Sequence, residues 1–451
     1  MWPFAAASAR PNIGTPLGPD METGATVCGD AFAYFQAGLI SSASMSVYGL
    51  NGLGKSSFVV RQMLGLADRG IVNVVAGDLK GEYTPIVRAL GGQVLNFGSG
   101  QHLNILDQGA MLEAARRIGG ERGEAHQALA VDRALDMVVT LIQIVRRRSV
   151  EDWERGLLRR AIALMIDDHQ RTKAPPPVLP DLVKLLQNPT RGLVTSILAD
   201  DEKDYWRETK DLNRSLQALL EGPLGTMLSG QTSERVRLDS PAVNVDLQVM
   251  QKKPDDELAA VMLACWSEVF STIEAANALT DAGLLAQIYV NTVMDEMWRG
   301  MRLPGANLVD KADRITRLQR NDAQGNIFVT HSLKDHSSLG SEADNMKARG
   351  FAERSGIIVT AGLAVPDLRE LSEVKRMSEK EIRTVSGWST PAGWQARMVV
   401  DPETGLSRPA PPPGAGKVLL KVGERAGIPV QMQLTQLEKE LHDTNSRWVA
   451  A

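Results

Sequence analysis

The sequence predicts an α/β fold with a mostly parallel sheet and an inserted all-α subdomain. Three observations carry the prediction. The apolar strand Met45-Ser46-Val47-Tyr48 runs through a glycine-rich loop into a helix rich in Phe and Val. Strand, loop and helix then recur, with residues 70–78 reading as a buried strand, 84–90 as a helix and 93–97 as a further strand. From about 109 to 225 the apolar spacing turns helical, and strand candidates resume near 240.

Taken in order, residues 1–25 form a loose arm with two turn signals in PNIGTPLGPDMETG, followed by short strand candidates at 25–27 and 31–36. The helical insertion is expected to contain helices at 110–117, 126–148, 149–168 and 179–200, the third opened by a capping box from Ser149 to Asp152. Beyond it, 242–247 reads as a strand returning to the sheet and 255–276 as a long helix. Strands at 288–294, 327–330 and 356–360 complete the core. Residues 397–422 read as an antiparallel hairpin around a Pro-rich turn, before a last helix near 435–445. The expected organisation is therefore an N-terminal arm and β entrance (1–45), a first core segment (46–108), an all-α subdomain (109–239), a second core segment (240–395) and a C-terminal hairpin and helix (396–451).

Composition narrows the function classes. At 451 residues the chain is long enough for two or three folding units. A formal net charge of -4 argues against a monomer that coats nucleic acid, while leaving room for a basic channel lining made on assembly. The two cysteines, Cys28 and Cys265, lack metal-site or redox spacing, which argues against zinc and for a reducing, cytosolic setting. No apolar run approaches the roughly 20 residues of a spanning helix, and the start lacks the form of a signal peptide. Membrane contact is expected to be peripheral or through a partner.

Gly49, four intervening residues, then Gly54-Lys55-Ser56 match the Walker A pattern in full. Glycines let successive backbone N–H groups turn inward around phosphates, and the following helix adds its positive end. In this loop Gly49, Asn51, Gly52, Gly54, Lys55, Ser56 and Ser57 are the candidate nucleotide-contacting residues. Lys55 reaches the β- and γ-phosphates, and Ser56 offers a hydroxyl to Mg²⁺. Thr292-Val293-Met294-Asp295-Glu296 has the Walker B form, an apolar strand closed by two acids. Asp295 is the candidate metal ligand opposite Ser56, and Glu296 the candidate general base for water.

Asp78 and Glu82 follow a neighbouring strand and are candidates for a role at the nucleotide or metal; alternatively Asp78 caps its loop and Glu82 opens a helix. Thr330 or His331, ending a later strand, is a candidate γ-phosphate sensor, with a satisfied core histidine as the competing reading. Arg314, Arg317 and Arg320 recur every third residue and so share one helix face. Such a face is either solvated or able to place an arginine in the active site of an adjacent subunit. Arg349 and Arg354 are weaker candidates for that work. The clusters Arg146-Arg147-Arg148 and Arg159-Arg160 read as solvated helix ends, with a surface for DNA or a partner as the alternative.

On these residues the chain resembles the large cytosolic ATPases of conjugation and type IV secretion systems, within the HerA/FtsK branch of hexameric P-loop motors. The resemblance rests on GLNGLGKSS at 49–57, GDLKGEY at 77–83, LNILD at 103–107, VMDEMW at 293–298 and the arginine-bearing segment leading into IFVTHSLKD at 327–335. It implies a RecA-like P-loop NTPase core carrying an all-α lobe. By position it also implies ATP and Mg²⁺ held by Lys55 and Ser56, metal binding and water activation by Asp295 and Glu296, and an intersubunit finger from Arg314, Arg317 or Arg320. The family usually has glutamine after the threonine of the later strand, where this chain has His331. It often carries a separate N-terminal domain, whereas only about 45 residues precede the loop here.

The implied activity is ATP hydrolysis that moves subunits of a homohexamer and powers substrate transfer or assembly of a conjugation-like secretion apparatus. Secretion-channel or coupling proteins are the implied partners, DNA is a further candidate, and the implied place is the cytoplasm or the inner face of the cell membrane. Two alternatives stand beside it: a DNA-translocating ATPase, and a nucleotide-gated assembly scaffold with little turnover. A kinase is disfavoured, because no second substrate pocket or acceptor base can be named.

Overall fold

The computed structural model describes residues 10–96, 100–296, 299, 323–333, 342–389, 398–400, 407–410 and 412–442. The strands in chain order are β1 Pro16–Pro19, β2 Thr26–Cys28, β3 Ser44–Tyr48, β4 Val72–Asp78, β5 Gln93–Asn96, β6 Ala242–Asp246, β7 Val290–Asp295, β8 Gln324–Thr330, β9 Ile357–Thr360, β10 Met398–Val400, β11 Ser407–Pro409, β12 Lys417–Val422 and β13 Ile428–Gln431. Between them run helices α1 Ala31–Gln36, α2 Lys55–Asp68, α3 Thr84–Ala89, α4 Gly109–Ile118, α5 Gly120–Arg146, α6 Asp152–Thr172, α7 Leu179–Gln187, α8 Arg191–Ser196, α9 Glu202–Glu221, α10 Gly225–Leu228 and α11 Asp255–Asp281. The later helices are α12 Glu342–Arg354, α13 Val365–Val374, α14 Glu379–Ser386 and α15 Gln436–Leu441. This is a mixed α/β fold with a multi-stranded, mostly parallel sheet flanked by helices and an inserted all-α region.

The chain divides into two compact units. The first, drawn from residues 1–73, 291–298 and 313–451, holds strands in the order β13-β12-β9-β3-β8-β7. In it β3 lies parallel to both β8 and β9, with Tyr48 opposite Thr330 on one side and Thr360 on the other. Every residue of β3, β7 and β8 is buried, polar and apolar alike, as in a sheet covered on both faces. Among their polar residues Ser46 Oγ bonds Ser355 Oγ at 2.7 Å and Asn291 Nδ2 donates to Asn73 Oδ1 at 2.9 Å, whereas Thr292 Oγ1 and the Asn326 amide are buried with no hydrogen-bond partner among the described residues. An antiparallel edge, β9-β12-β13, closes the unit on the other side.

The second unit, residues 74–290 with 299–312, contains β6 and β5 paired in parallel and the helical insertion. Its helices are fastened by ion pairs. Arg146 at the end of α5 makes a two-pronged pair with Glu154 of α6, both bonds 2.8 Å, and its Nε donates to Ser215 of α9. Arg147 pairs with Asp256, Arg148 with Asp211, Arg155 with Asp136 and Arg159 with Asp132. Four of the five cluster arginines, Arg146, Arg147, Arg148 and Arg159, thus pair with carboxylates of their own unit.

Several local expectations are corrected. Residues 31–36 form a helix, not a strand, because Asp30 caps it by accepting from Ala33 N at 2.7 Å. The capping box of α6 runs from Glu151 to Glu154, two residues after the expected Ser149, since Asp152 is already helical. The expected helix at 179–200 breaks into α7 and α8 at Asn188-Pro189, where proline removes a donor. Within the stretch expected to be helical, Glu202–Glu221 forms a helix of its own, α9. Residues 397–422 are not one hairpin: β10 pairs with β11, while β12 pairs with β13 and β9. Helix α11 is long and apolar enough to cross a membrane by length and composition, against the expectation of no such run, yet most of it is buried in the protein interior. A helix enclosed by its own fold is apolar all round for that reason.

Candidate nucleotide-binding site

In the first unit the loop after β3 is shaped by glycine. Gly52 has φ +76 with nothing within 4 Å of a Cβ placed there, so the crest of the loop faces open space. Gly54 has φ +96 and forms the N-cap of α2, with no side chain capping the helix. The first N–H groups of a helix have no intrahelical acceptor, so this end presents donors and the positive end of the dipole. At the base of the loop, a Cβ on Gly49 would stand 2.7 Å from the Ala361 Cβ, which leaves room only for glycine. Asn51 is exposed at the crest, while Ser56 and Ser57 are half-buried on the first turn of α2.

Lys55 is only 7% exposed and folds back under its own loop. Its Nζ donates to Gly49 O at 2.6 Å and to Leu50 O at 3.2 Å, and lies 3.3 Å from His331 Nδ1. His331 Nε2 is in turn 3.1 Å from Glu296 Oε1. The backbone ties the same three segments: Gly49 N donates to His331 O at 3.2 Å and Glu296 N to Val329 O at 3.3 Å. Lys55, His331 and Glu296, which stand far apart in sequence, thus meet at the ends of β3, β8 and β7. Glu296 is 5% exposed and has φ +52, a left-handed conformation that costs a non-glycine residue energy and concentrates at working sites. Asp295, the last residue of β7, is buried beside it in sequence, and Thr330 ends β8.

Asp78 and Glu82 belong to the second unit. Asp78 closes β4 and organises the turn that follows. Its Oδ1 accepts from Lys80 N at 3.2 Å and Glu82 N at 3.1 Å, and its Oδ2 from Tyr83 N at 2.9 Å and Asn244 Nδ2 at 3.1 Å. Burial pushes the Asp78 carboxyl above its ordinary range, against the lowering effect of these bonds, and neighbouring Asp246 adds to the rise. The loop-capping alternative describes this geometry directly. Glu82 is half-buried just ahead of α3, and its Oε2 is buried with no hydrogen-bond partner among the described residues.

Arg314, Arg317 and Arg320 lie outside the described residues. Arg349 pairs with Glu373 at 3.0 Å, and the Arg354 guanidinium stacks over the Phe351 ring at 5.5 Å, so both have local structural employment. The sequence missed a polar tie on α2 itself: Arg61 Nε donates to Glu438 Oε1 at 2.7 Å, binding the helix behind the loop to α15. No motif signals a pair so distant in sequence.

The open glycine crest, the uncapped helix start and the half-buried Ser56 form a cradle that fits the phosphates of a nucleotide with its metal. Lys55 lies below the cradle, within the reach of one lysine side chain.

No protein-family model and no curated protein sequence matches the chain. Among solved structures it is similar to VirB4 of Thermoanaerobacter pseudethanolicus, with a TM-score of 0.67 and 16% identity over 95% of this chain and 99% of that one. That likeness shows a shared fold. Weaker similarities are to the plasmid coupling protein TrwB in complex with a non-hydrolysable ATP analogue (TM-score 0.49, 11% identity, 90% and 89% covered) and to TrwBdeltaN70, a bacterial conjugative coupling protein, in complex with sulphate (TM-score 0.48, 13% identity, 94% and 94% covered).

Proposed function

We propose that the protein is an ATP-hydrolysing motor of the HerA/FtsK branch of P-loop ATPases, powering substrate transfer or assembly of a conjugation-like type IV secretion apparatus. The observation that carries this reading is the convergence of Lys55, His331 and Glu296 at one edge of the sheet, beside the glycine cradle. A nucleotide-binding loop alone would account for Lys55 and Ser56. An acid held at the same edge, on a strand of Walker B form, supplies what hydrolysis needs in addition. The VirB4 fold supports the choice among P-loop functions.

In this mechanism the backbone N–H groups around Gly49, Asn51, Gly52 and Gly54 and the start of α2, with Ser57 alongside, hold the phosphates of ATP. Lys55 leaves its loop carbonyls to neutralise the terminal phosphates. Ser56 and Asp295 hold Mg²⁺, which supplies charge neutralisation at the transferred phosphoryl group. Glu296 orients a water and takes its proton. Asp78 and Glu82 are proposed for a role at the nucleotide or metal, as the sequence suggests. Arg314, Arg317 or Arg320 of an adjacent subunit stabilises the developing charge, so the complete site is a product of self-association, with a homohexamer as the closed form. Partners at the secretion channel, and DNA as cargo or stimulant, belong to the same proposal, with work at the cytoplasmic side of a membrane. The five-part domain organisation read from the sequence is the arrangement proposed for it.

The test is an ATPase assay on Glu296→Gln and Lys55→Ala proteins, joined to mass measurement with and without Mg-ATP. Glu296→Gln is expected to bind ATP and lose turnover by about 10²-fold or more, whereas Lys55→Ala loses nucleotide affinity. Normal steady-state hydrolysis by Glu296→Gln would refute the base assignment, and stable Mg-ATP binding without turnover in the native oligomer would favour the scaffold alternative. Stimulation by DNA together with movement along it would favour the DNA translocase.

A further inference from the structure

His331 stands between the two residues on which the proposed activity turns. A lysine ammonium has only hydrogens to offer, so across the 3.3 Å contact with Lys55 Nζ the His331 Nδ1 is the accepting nitrogen. A neutral imidazole that accepts at Nδ1 carries its proton on Nε2. That N–H donates to Glu296 Oε1 at 3.1 Å. Lys55 thus sets the tautomer from one side, and Glu296 receives the consequence on the other. The backbone makes the bridge stiff: the His331 carbonyl is held by Gly49 N at the base of the loop, and Glu296 N is held by Val329 O two residues before the ring. The left-handed φ of +52 at Glu296 fixes the direction from which its side chain leaves the strand end.

We propose that His331 is a positioning residue that couples the phosphate-loop lysine to the candidate base, acting as the Nε2–H tautomer. This rests on the reading of Lys55 and Glu296 as residues of a nucleotide site. The ring aims the Glu296 carboxylate while Lys55 occupies Nδ1. When Lys55 turns to phosphate, Nδ1 loses that contact while Nε2–H keeps its hold on Glu296, so the ring re-aims the carboxylate for turnover. Occupancy of the loop is thereby transmitted to the acid through one side chain. The requirement is for an acceptor and a donor in that order on one planar group. Glutamine meets it, with its Oε1 toward Lys55 and its Nε2–H toward Glu296, and leucine does not.

The test uses the full-length protein and two variants, His331→Gln and His331→Leu, with Mg-ATP as substrate, a fluorescent ATP analogue for binding, and ¹⁵N-detected imidazole resonances for the tautomer. His331→Leu is expected to lower kcat by about 10-fold or more, with KM and analogue affinity within about threefold, and His331→Gln to recover most of that loss. In the nucleotide-free wild type, the imidazole signal absent from both variants should report a protonated Nε2 and a bare Nδ1. Its Nδ1 resonance should move when the Mg-bound non-hydrolysable analogue is added. A protonated Nδ1 in the free protein, wild-type kcat in His331→Leu, or a folded His331→Gln as slow as His331→Leu would each overturn the coupling. If the wild type neither binds nor hydrolyses ATP, the proposed function fails, while the tautomer measured without nucleotide still decides the bridge.

Discussion

Glu296 is the residue at which conformational cost and chemistry coincide. A left-handed backbone costs an L-residue about 1–2 kcal/mol, and glycine adopts it freely. Replacing Glu296 by Gly or by Ala removes the same contact with His331, so the two variants differ chiefly in backbone strain. Glu296→Gly should therefore be the more stable of the two by about 1 kcal/mol in chemical denaturation, although neither should hydrolyse ATP. Equal stability, or a more stable alanine variant, would mean that the strand end relaxes once the acid is gone. A second residue carries a pH signature. Burial raises the Glu268 carboxyl from 4.5 to about 7; Asp107 adds to the rise, while Arg235 and the Val236 N–H oppose it. A carboxyl raised on folding binds its proton in the native state where the unfolded chain has lost it. Its contribution is therefore fully present below pH 4.5 and is lost as pH rises toward 7. The linkage amounts to about 3 kcal/mol, and Glu268→Gln should flatten the stability profile over that window and be more stable than wild type at pH 8. An unchanged slope between pH 4.5 and 7 in urea titrations would assign the effect to another group.

Among the elements, the junction of α5 and α6 is the one most exposed to a single change. Arg146 and Glu154 have side chains only 6% and 4% exposed, and Glu154 also accepts from Glu151 N at 3.0 Å to open α6. Removing the acid strands a buried guanidinium and uncaps a helix at once, so Glu154→Ala should cost about 3–5 kcal/mol. The exposed pair of the same unit, Arg171 with Asp168, offers the contrast: breaking it should be nearly silent in a thermal melt. Comparable losses for both would show that burial does not set the weight of these pairs. The junction also marks the limit of what the sequence discloses. Periodicity located α6, α11 and the buried strands, because a 3.6-residue repeat or a continuous apolar run survives in the one-dimensional record. It misplaced the cap of α6 by two residues, since Ser149, Glu151 and Asp152 are all acceptable cap residues and only tertiary contact with Arg146 selects Glu151 as the start. The segment 31–36 reads as a strand in the sequence, because five apolar residues and a glutamine fit either period until Asp30 is seen to cap them. Periodicity likewise joined 397–400 to 418–422, a pairing that depends on which strand β9 accepts as its neighbour. In the candidate site the loop was legible because glycine spacing is local. The bridge from Lys55 through His331 to Glu296 was not, because it is made by strand order, and strand order is the least local property of a sheet.

At the scale of the whole molecule, the first unit is assembled from chain segments as distant as residues 16–19 and 428–441, and its integrity depends on ties between them. Gln433 N donates to Leu17 O at 3.0 Å and Met21 N to Pro429 O at 2.8 Å, so the first and last strands are laced together. The same C-terminal stretch reaches the phosphate loop's own helix. Glu438 is nearly buried, caps α15 by accepting from Thr435 N at 2.7 Å, and receives Arg61 of α2 on both its oxygens. Arg61 also donates to the Gln433 carbonyl, so one guanidinium joins α2 to the segment just ahead of α15. Helix α2 begins at the uncapped Gly54 and ends at Arg69, with no acidic residue in its first turn, so it draws stability from such packing rather than from its own ends. Glu438→Ala should therefore loosen α2 from a distance: a charged hydrogen-bonding partner is lost at a cost of about 1.5–3 kcal/mol, and amide exchange along α2 should accelerate by about 10-fold or more. Helix α9, in the other unit, should exchange as in wild type. A uniform rise across both helices would indicate global destabilisation, and no rise in α2 would show that the phosphate loop's helix stands without its C-terminal brace.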